Sequence, residues 1–162
     1  FKNQDRIIIG AKTKNSKNLL KQLYRTIYPS SNKVKIESTS PLNAEFVKYV
    51  TNTFLAVKVS FANEIYELTN ELNADYQRII EMSILDQRLG ASHWSVPGPD
   101  GNKGFGGSCF PKDINSLINS FNKNNIDSYI LKAAWQRNIK LDRPQKDWLK
   151  LKGRAVSNEN SE

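Results

Sequence analysis

From Ser40 to Leu72 the chain carries one unbroken helical pattern, and no other feature constrains the fold as strongly. Phe46, Val50, Phe54, Val57, Phe61, Ile65, Leu68 and Leu72 recur at an average close to the 3.6-residue helical repeat. Ser40 suits the N-cap, and Pro41 suits the first helical position, where a missing N–H does no harm. Such a helix is about 45 Å long at 1.5 Å per residue, longer than a small domain is wide. Part of it is therefore expected to pack against another subunit or domain, and dimerisation through it is the structural expectation.

Ahead of the helix, Arg6 to Gly10 is a short apolar run closed by glycine, which reads as a buried strand. Ser16 can cap a helix with Leu20, Leu23, Tyr24, Ile27 and Tyr28 at three- and four-residue spacing. Lys33 to Ser38 then alternates, with Val34 and Ile36 on one side. This βαβ-like piece cannot bury its own sheet. Residues 1–38 are read as the edge of a larger α/β domain, and the start at Phe1 without a methionine fits a domain whose beginning is absent.

Beyond the long helix, Asp75 can cap a shorter one holding Ile79, Ile80 and Ile84. Gly90 to Gly107 contains Pro97-Gly98-Pro99-Asp100-Gly101 and then Gly104-Phe105-Gly106-Gly107, too many breakers for regular structure. Ordered loops of this length are usually functional. Pro111 can open a helix with Ile114, Leu117, Ile118 and Phe121 inward. Another is expected from Asp127 to Asp142 with Ile130, Leu131, Ala134, Trp135 and Ile139 inward. The fold class is thus mainly α: a long central helix with packed shorter helices over 39–150, preceded by a small α/β remnant of a Rossmann-type domain. Residues 151–162 form a polar tail that is expected to be frayed.

With 162 residues, 38% of them hydrophobic, the chain is sized for one domain plus part of another. No apolar run approaches the roughly 20 residues of a membrane span, and the N-terminus lacks the order of a signal peptide, so no membrane association and a cytoplasmic location are expected. The formal charge of +8 raises the question of nucleic acid. The basic residues are dispersed, however, and the densest stretch, from Arg137 through Lys140, Arg143, Lys146, Lys150 and Lys152 to Arg154, is broken by Asp142 and Asp147. A solvated helix face and tail accounts for it, so no nucleic-acid partner is expected. A diphosphate-bearing substrate also suits a positive field.

Cys109 is the single cysteine. It excludes an internal disulfide and offers no zinc cluster, so no metal is expected, and its thiol serves either packing or chemistry. Pro111 places it at a helix N-terminus, where unpaired N–H groups and the helix dipole stabilise a thiolate, with Lys112 able to add to the effect. Asp113, close to one turn further on, can position a water or move a proton beside the sulfur. The alternative is a small buried hydrophobe.

Gly104-Phe105-Gly106-Gly107-Ser108-Cys109-Phe110-Pro111-Lys112-Asp113 resembles the active-site motif of the UDP-glucose/GDP-mannose dehydrogenase family. Glu45-Phe46-Val47-Lys48-Tyr49-Val50-Thr51-Asn52-Thr53-Phe54-Leu55-Ala56 is similar to its central-helix motif, and Asp86-Gln87-Arg88-Leu89-Gly90 to its segment before the catalytic loop. The similarity spans roughly residues 1 to 150, and it implies that residues 1–38 are the C-terminal edge of the family's NAD-binding α/β domain.

The resemblance implies oxidation of the C6 alcohol of a nucleotide sugar to a carboxylate with reduction of two NAD. UDP-glucose is the expected substrate, giving UDP-glucuronate, with GDP-mannose as the runner-up. It implies that Cys109 forms a thiohemiacetal and then a thioester. Lys48 and Asn52 match an oxyanion-stabilising pair whose i, i+4 spacing puts both on one helix face. Asp113 matches an aspartate assisting water and proton transfer. Arg88 matches an arginine that reaches the substrate of a neighbouring subunit in a homodimer. Gly104, Phe105 and Gly106 match the loop over the sugar, and Lys112 lies in the stretch that meets the cofactor.

From residue types alone, Lys48 is a solvated helix residue, Asn52 faces water and Arg88 is an ordinary ion-pair partner. His93, Trp94, Trp135 and Trp148 read as packing residues. The sequence lacks the family's Gly-x-Gly-x-x-Gly turn, its upstream loop with a catalytic glutamate and its C-terminal nucleotide domain. NAD is accordingly expected to be held mainly by a domain outside this chain. The alternative function is a non-catalytic dimerisation module.

Overall fold

Five residues of β1 (Arg6–Gly10) pair in parallel with β2 (Lys35–Thr39), Arg6 lying opposite Lys35 and Gly10 opposite Thr39. A parallel pair needs a crossover, supplied by α1 (Lys14–Ile27). That helix starts earlier than expected: Thr13, not Ser16, is its cap, and the Thr13 Oγ1 accepts the Ser16 N–H at 3.1 Å. No residue of α1 is fully buried, and Leu19, Leu23 and Ile27 are exposed. One helix over two strands does not close a core.

The computed structural model describes residues 5–29 and 34–151; Phe1, Lys33 and, save for Leu151, the tail expected over 151–162 lie outside them. The described residues fall into two units, one ending at Thr51 and one beginning at Asn52. The division therefore lies within the long helix, α2 (Pro41–Glu71). As expected, Ser40 caps α2, its Oγ accepting the Asn43 N–H at 3.2 Å.

In the second unit, the apolar seam of α2 is only partly inward: Val57 and Ile65 pack against the core, whereas Phe54, Phe61, Leu68 and Leu72 are exposed, and Thr53, Ala56, Ser60 and Asn63 are buried. The small side chains let neighbouring backbone approach the helix closely.

Two apolar clusters fill this unit. Ala56, Phe105, Ile114, Ile118 and Ala134 form one, flanked by Phe110, Leu131 and Trp135. Ala62, Tyr76, Ile80 and Trp94 form the other. The capping of α3 (Tyr76–Ser83) by Asp75 is as expected, its Oδ1 accepting the Arg78 N–H at 3.0 Å. Between a single 3-10 turn at Gln87–Leu89 and α4 (Phe110–Lys123) the chain has no regular structure, as its breakers require.

The last expected helix is shorter than its pattern. α5 (Tyr129–Arg137) passes into a π turn at Asn138–Asp142, and Trp148 then packs from a 3-10 turn at Asp147–Lys150. Ile130, expected inward, is exposed. The packed face of α5 is centred on Ala134, Leu131 and Trp135, and Ile130 lies at its edge in the first turn.

Candidate active site

Cys109 is the N-cap residue of α4, with Pro111 in the first helical turn. Its thiol is exposed, so it is not the buried hydrophobe that a lone cysteine often becomes. The Cys109 carbonyl accepts the Asp113 N–H at 2.9 Å, closing the first turn. Ser108 Oγ lies 3.9 Å from Sγ. The thiol thus stands at the start of a helix, beside its orphan N–H groups.

One turn on, Asp113 is almost wholly buried. Its Oδ2 accepts a 2.6 Å hydrogen bond from Asn52 Nδ2 on α2, and Lys112 Nζ lies 3.5 Å from its Oδ1. A buried carboxylate is costly unless charge or hydrogen bonds compensate it, and these contacts do so. The structure therefore brings together three expected site residues, Asn52, Asp113 and Lys112, around the turn that carries Cys109. Lys48 belongs to the first unit, where its ammonium is 6.0 Å from the Tyr49 ring centroid.

The glycine-rich loop is held from below by side chains. Asn63 Oδ1 accepts the Gly104 N–H at 3.2 Å. Asn138 Oδ1 accepts the Phe105 N–H at 2.8 Å, and Asn138 Nδ2 donates to the Phe105 carbonyl at 2.9 Å. Gly104 has φ +67°, and a Cβ there would overlap Asn138 Oδ1. At Gly106 a Cβ would overlap the Arg143 guanidinium. Phe105, expected over the sugar, is instead a core residue only 3% exposed, its ring 6.3 Å from Phe110 and 6.2 Å from Trp135. An apolar ring in such a loop gains more by burial than by facing a polar ligand.

A cavity of about 500 Å³ lies beside this loop, walled by Val59, His93, Asp100, Gly104 to Gly107, Phe110 and Arg143 among others. Cys109 is not part of that wall. His93 faces Phe110 at 5.7 Å, and burial, with the nearby Lys58 charge, lowers its pKa. Trp94 packs as expected: it is buried, its carbonyl accepts the Tyr76 hydroxyl at 2.6 Å, and its indole N–H donates to the Gly90 carbonyl at 2.9 Å. Lys58 Nζ adds bonds to the Leu89 and Gly90 carbonyls at 2.8 and 3.0 Å and lies 4.6 Å from the Trp94 ring centroid. Trp135 and Trp148 also pack, 5.5 Å apart.

Arg88 stands on the turn that Lys58 pins. Its Nε donates to both Asp86 oxygens at 2.9 and 3.0 Å, and its side chain is 88% exposed. The hydrogen bonds from Arg88 keep the Asp86 carboxyl below the ordinary carboxylate range.

The basic stretch near the C-terminus is not a wholly solvated face. Arg137 pairs with Glu67 at 2.9 Å and Asp142 at 3.0 Å. Arg143, only 3% exposed along its side chain, pairs with Asp147 at 2.7 Å and Asp100 at 2.6 Å. The interruptions by Asp142 and Asp147 are thus the partners of inward arginines. Sequence reasoning missed Lys58, Asn63, Asn138 and Arg143. One signal was present for Asn63: Thr53, Ala56, Ser60 and Asn63 repeat at helical spacing opposite the bulky seam, which marks a close-approach face. Among the described residues no set of three or more His, Cys, Asp or Glu side chains could hold a metal ion, and no helix is long and apolar enough to cross a membrane.

Residues 42–140 match the model of the UDP-glucose/GDP-mannose dehydrogenase family, central domain. A UDP-glucose 6-dehydrogenase of Rickettsia bellii is 41% identical over 134 residues, covering 83% of this chain and 29% of the relative. One from Pseudomonas aeruginosa is 36% identical over 140 residues, covering 86% of this chain and 29% of the relative. The solved UDP-glucose dehydrogenase of Pyrobaculum islandicum superposes with a TM-score of 0.71 at 36% identity, over 83% of this chain and 29% of that one. The chain thus spans less than a third of the length of these relatives. With its matched segment spanning the exposed Cys109 and the Asn52–Asp113 bond, the chain belongs to the UDP-glucose/GDP-mannose dehydrogenase family.

Proposed function

We propose that this chain supplies the thiol-bearing core of a dehydrogenase that oxidises the C6 alcohol of UDP-glucose to the carboxylate of UDP-glucuronate. The observation that carries the reading is the 2.6 Å bond from Asn52 to Asp113, one turn from an exposed cysteine at a helix start. In a four-electron oxidation the aldehyde level must be retained, and a covalent bond to an enzyme thiol achieves that.

In this reading Cys109 adds to the C6 aldehyde to give a thiohemiacetal. Loss of a hydride from that adduct leaves a thioester, and water cleaves the thioester to the carboxylate and the free thiol. Asn52 donates toward the developing oxyanion, with Lys48 as the second donor. Asp113 holds the water and takes its proton. Gly104, Phe105 and Gly106 belong to the loop over the sugar. Arg88, well exposed on a pinned turn, reaches the substrate of a second copy.

NAD would accept the hydrides. The residues present do not by themselves fit a dinucleotide: no Gly-x-Gly-x-x-Gly turn occurs in the sequence, and Lys112 is the one cofactor contact assigned here.

The same reading makes the chain a homodimer through α2. Phe54, Phe61 and Leu68 are exposed at seven-residue intervals on that helix, the spacing of a helix-pairing seam. The function is tested by grafting this segment into a full-length relative and changing Cys109→Ser. Loss of UDP-glucuronate formation is expected; full carboxylate production by the variant refutes the assignment.

A further inference from the structure

The stretch between Phe105 and Cys109 is Gly106-Gly107-Ser108, which has almost no side chain with which to pack. Its path must be set by groups that act on its backbone. The π turn after α5 supplies them: its wide closure, with the Arg143 N–H donating to the Asn138 carbonyl at 2.7 Å, brings Asn138, Asp142 and Arg143 under consecutive loop residues. Such turns are frequent at functional sites.

Asn138 is wholly buried and spends both amide atoms on the Phe105 backbone. Arg143 fills the space a side chain at position 106 would need. Its guanidinium is itself fixed, by two bonds to Asp147 at 2.7 and 2.8 Å and one to Asp100 at 2.6 Å. The hydrogen bonds with Asp147 raise the Arg143 pKa further, and those from Arg143 lower that of Asp147. The contact is therefore charged on both sides at neutral pH.

We propose that Asn138 and Arg143 are positioning residues that set where the Cys109 thiol is presented at the start of α4. The inference deepens the proposed function and rests on Cys109 as the reacting group, yet its test needs neither substrate nor cofactor. Alkylation of Cys109 by iodoacetamide is followed against pH in the whole chain, with thermal unfolding measured alongside.

Asn138→Asp keeps the side-chain shape but replaces the donor facing the Phe105 carbonyl with an acceptor. The alkylation rate, or the pH at which it reaches half its maximum, should change by at least roughly threefold or half a pH unit in the folded variant. An unchanged profile in a folded variant overturns the proposal. A cycle of Gly106→Ala, Arg143→Lys and the double variant gives an independent reading. The added methyl collides with the guanidinium, so the effects of the two changes on rate should be non-additive; strict additivity overturns the link through Gly106, whatever Asn138→Asp does. A Cys109 that proves not to be the nucleophile leaves these rates intact, so the two ideas fail separately.

Discussion

Asn52 Nδ2 donates to Asp113 Oδ2 across 2.6 Å, tying the second unit's part of α2 to the first turn of α4. The two residues are 61 positions apart in the chain, and the bond links the helix expected to stabilise an oxyanion to the carboxylate expected to manage water. It also makes the site part of the fold's stability, since the carboxylate is buried.

Asn52→Leu should therefore cost about 1–3 kcal/mol, the usual penalty for leaving a buried polar group without its partner. Asn52→Asp should cost more, because it sets a second carboxylate against the first. Chemical denaturation of the two variants measures both, and an Asn52→Asp chain as stable as the parent contradicts this picture.

Glycine is required at position 104 for two separable reasons, positive φ and lack of space. Gly101 shares the first, with φ +75°, but has open space around it. Gly101→Ala should lose about 1 kcal/mol from backbone strain. Gly104→Ala should lose clearly more, because it also drives a methyl group into Asn138 and Asp142. Melting temperatures of the pair give the comparison; equal losses would show that the mould beneath the loop yields easily.

Burial raises the Tyr76 pKa to about 12 from 10.0. The neutral phenol is thus favoured in the folded chain, and its contribution is complete below pH 10. Between pH 10 and about 12 the unfolded chain ionises while the folded one resists, so stability must fall as pH rises through that window. Tyr76→Phe should be less stable at pH 8 by about 1 kcal/mol through loss of the bond to the Trp94 carbonyl. It should also show a shallower alkaline decline, measured as melting temperature against pH.

Leu68 is exposed and belongs to the seven-residue seam, so Leu68→Lys should leave the single chain's stability within about 0.5 kcal/mol. If α2 pairs with a second copy, the same change should convert a dimer into a monomer by sedimentation or light scattering. A parent chain that sediments as a monomer at high concentration would remove the paired-helix proposal.

The long helix, its cap at Ser40, the short helix from Asp75, the irregular loop and the helix start beside Cys109 were all legible in the sequence because each rests on local chemistry. Periodicity, capping side chains and glycine or proline act within a few residues. The orientation of α2 was not legible in the same way: hydrophobicity marks a seam that must be covered, but not whether the cover comes from this chain. Small residues at Ala56 and Ser60 carried that information more quietly. The core packing of the Phe105 ring was not legible, because a motif does not reveal what a ring packs against. Asn138 and Arg143 were hidden because they act across the fold through a π turn, whose extra residue per turn breaks the helical spacing that sequence reading follows.

The most direct test concerns Cys109 as the covalent nucleophile and Asp113 as the group that readies water. In a full-length relative carrying this segment, Asp113→Asn is mixed with UDP-glucose and NAD, quenched in acid and digested, and the peptide holding Cys109 is weighed. The account predicts a thioester adduct on Cys109 that accumulates because its hydrolysis is slowed. UDP-glucuronate formed at the parent rate, with the Cys109 peptide unmodified throughout, would contradict it.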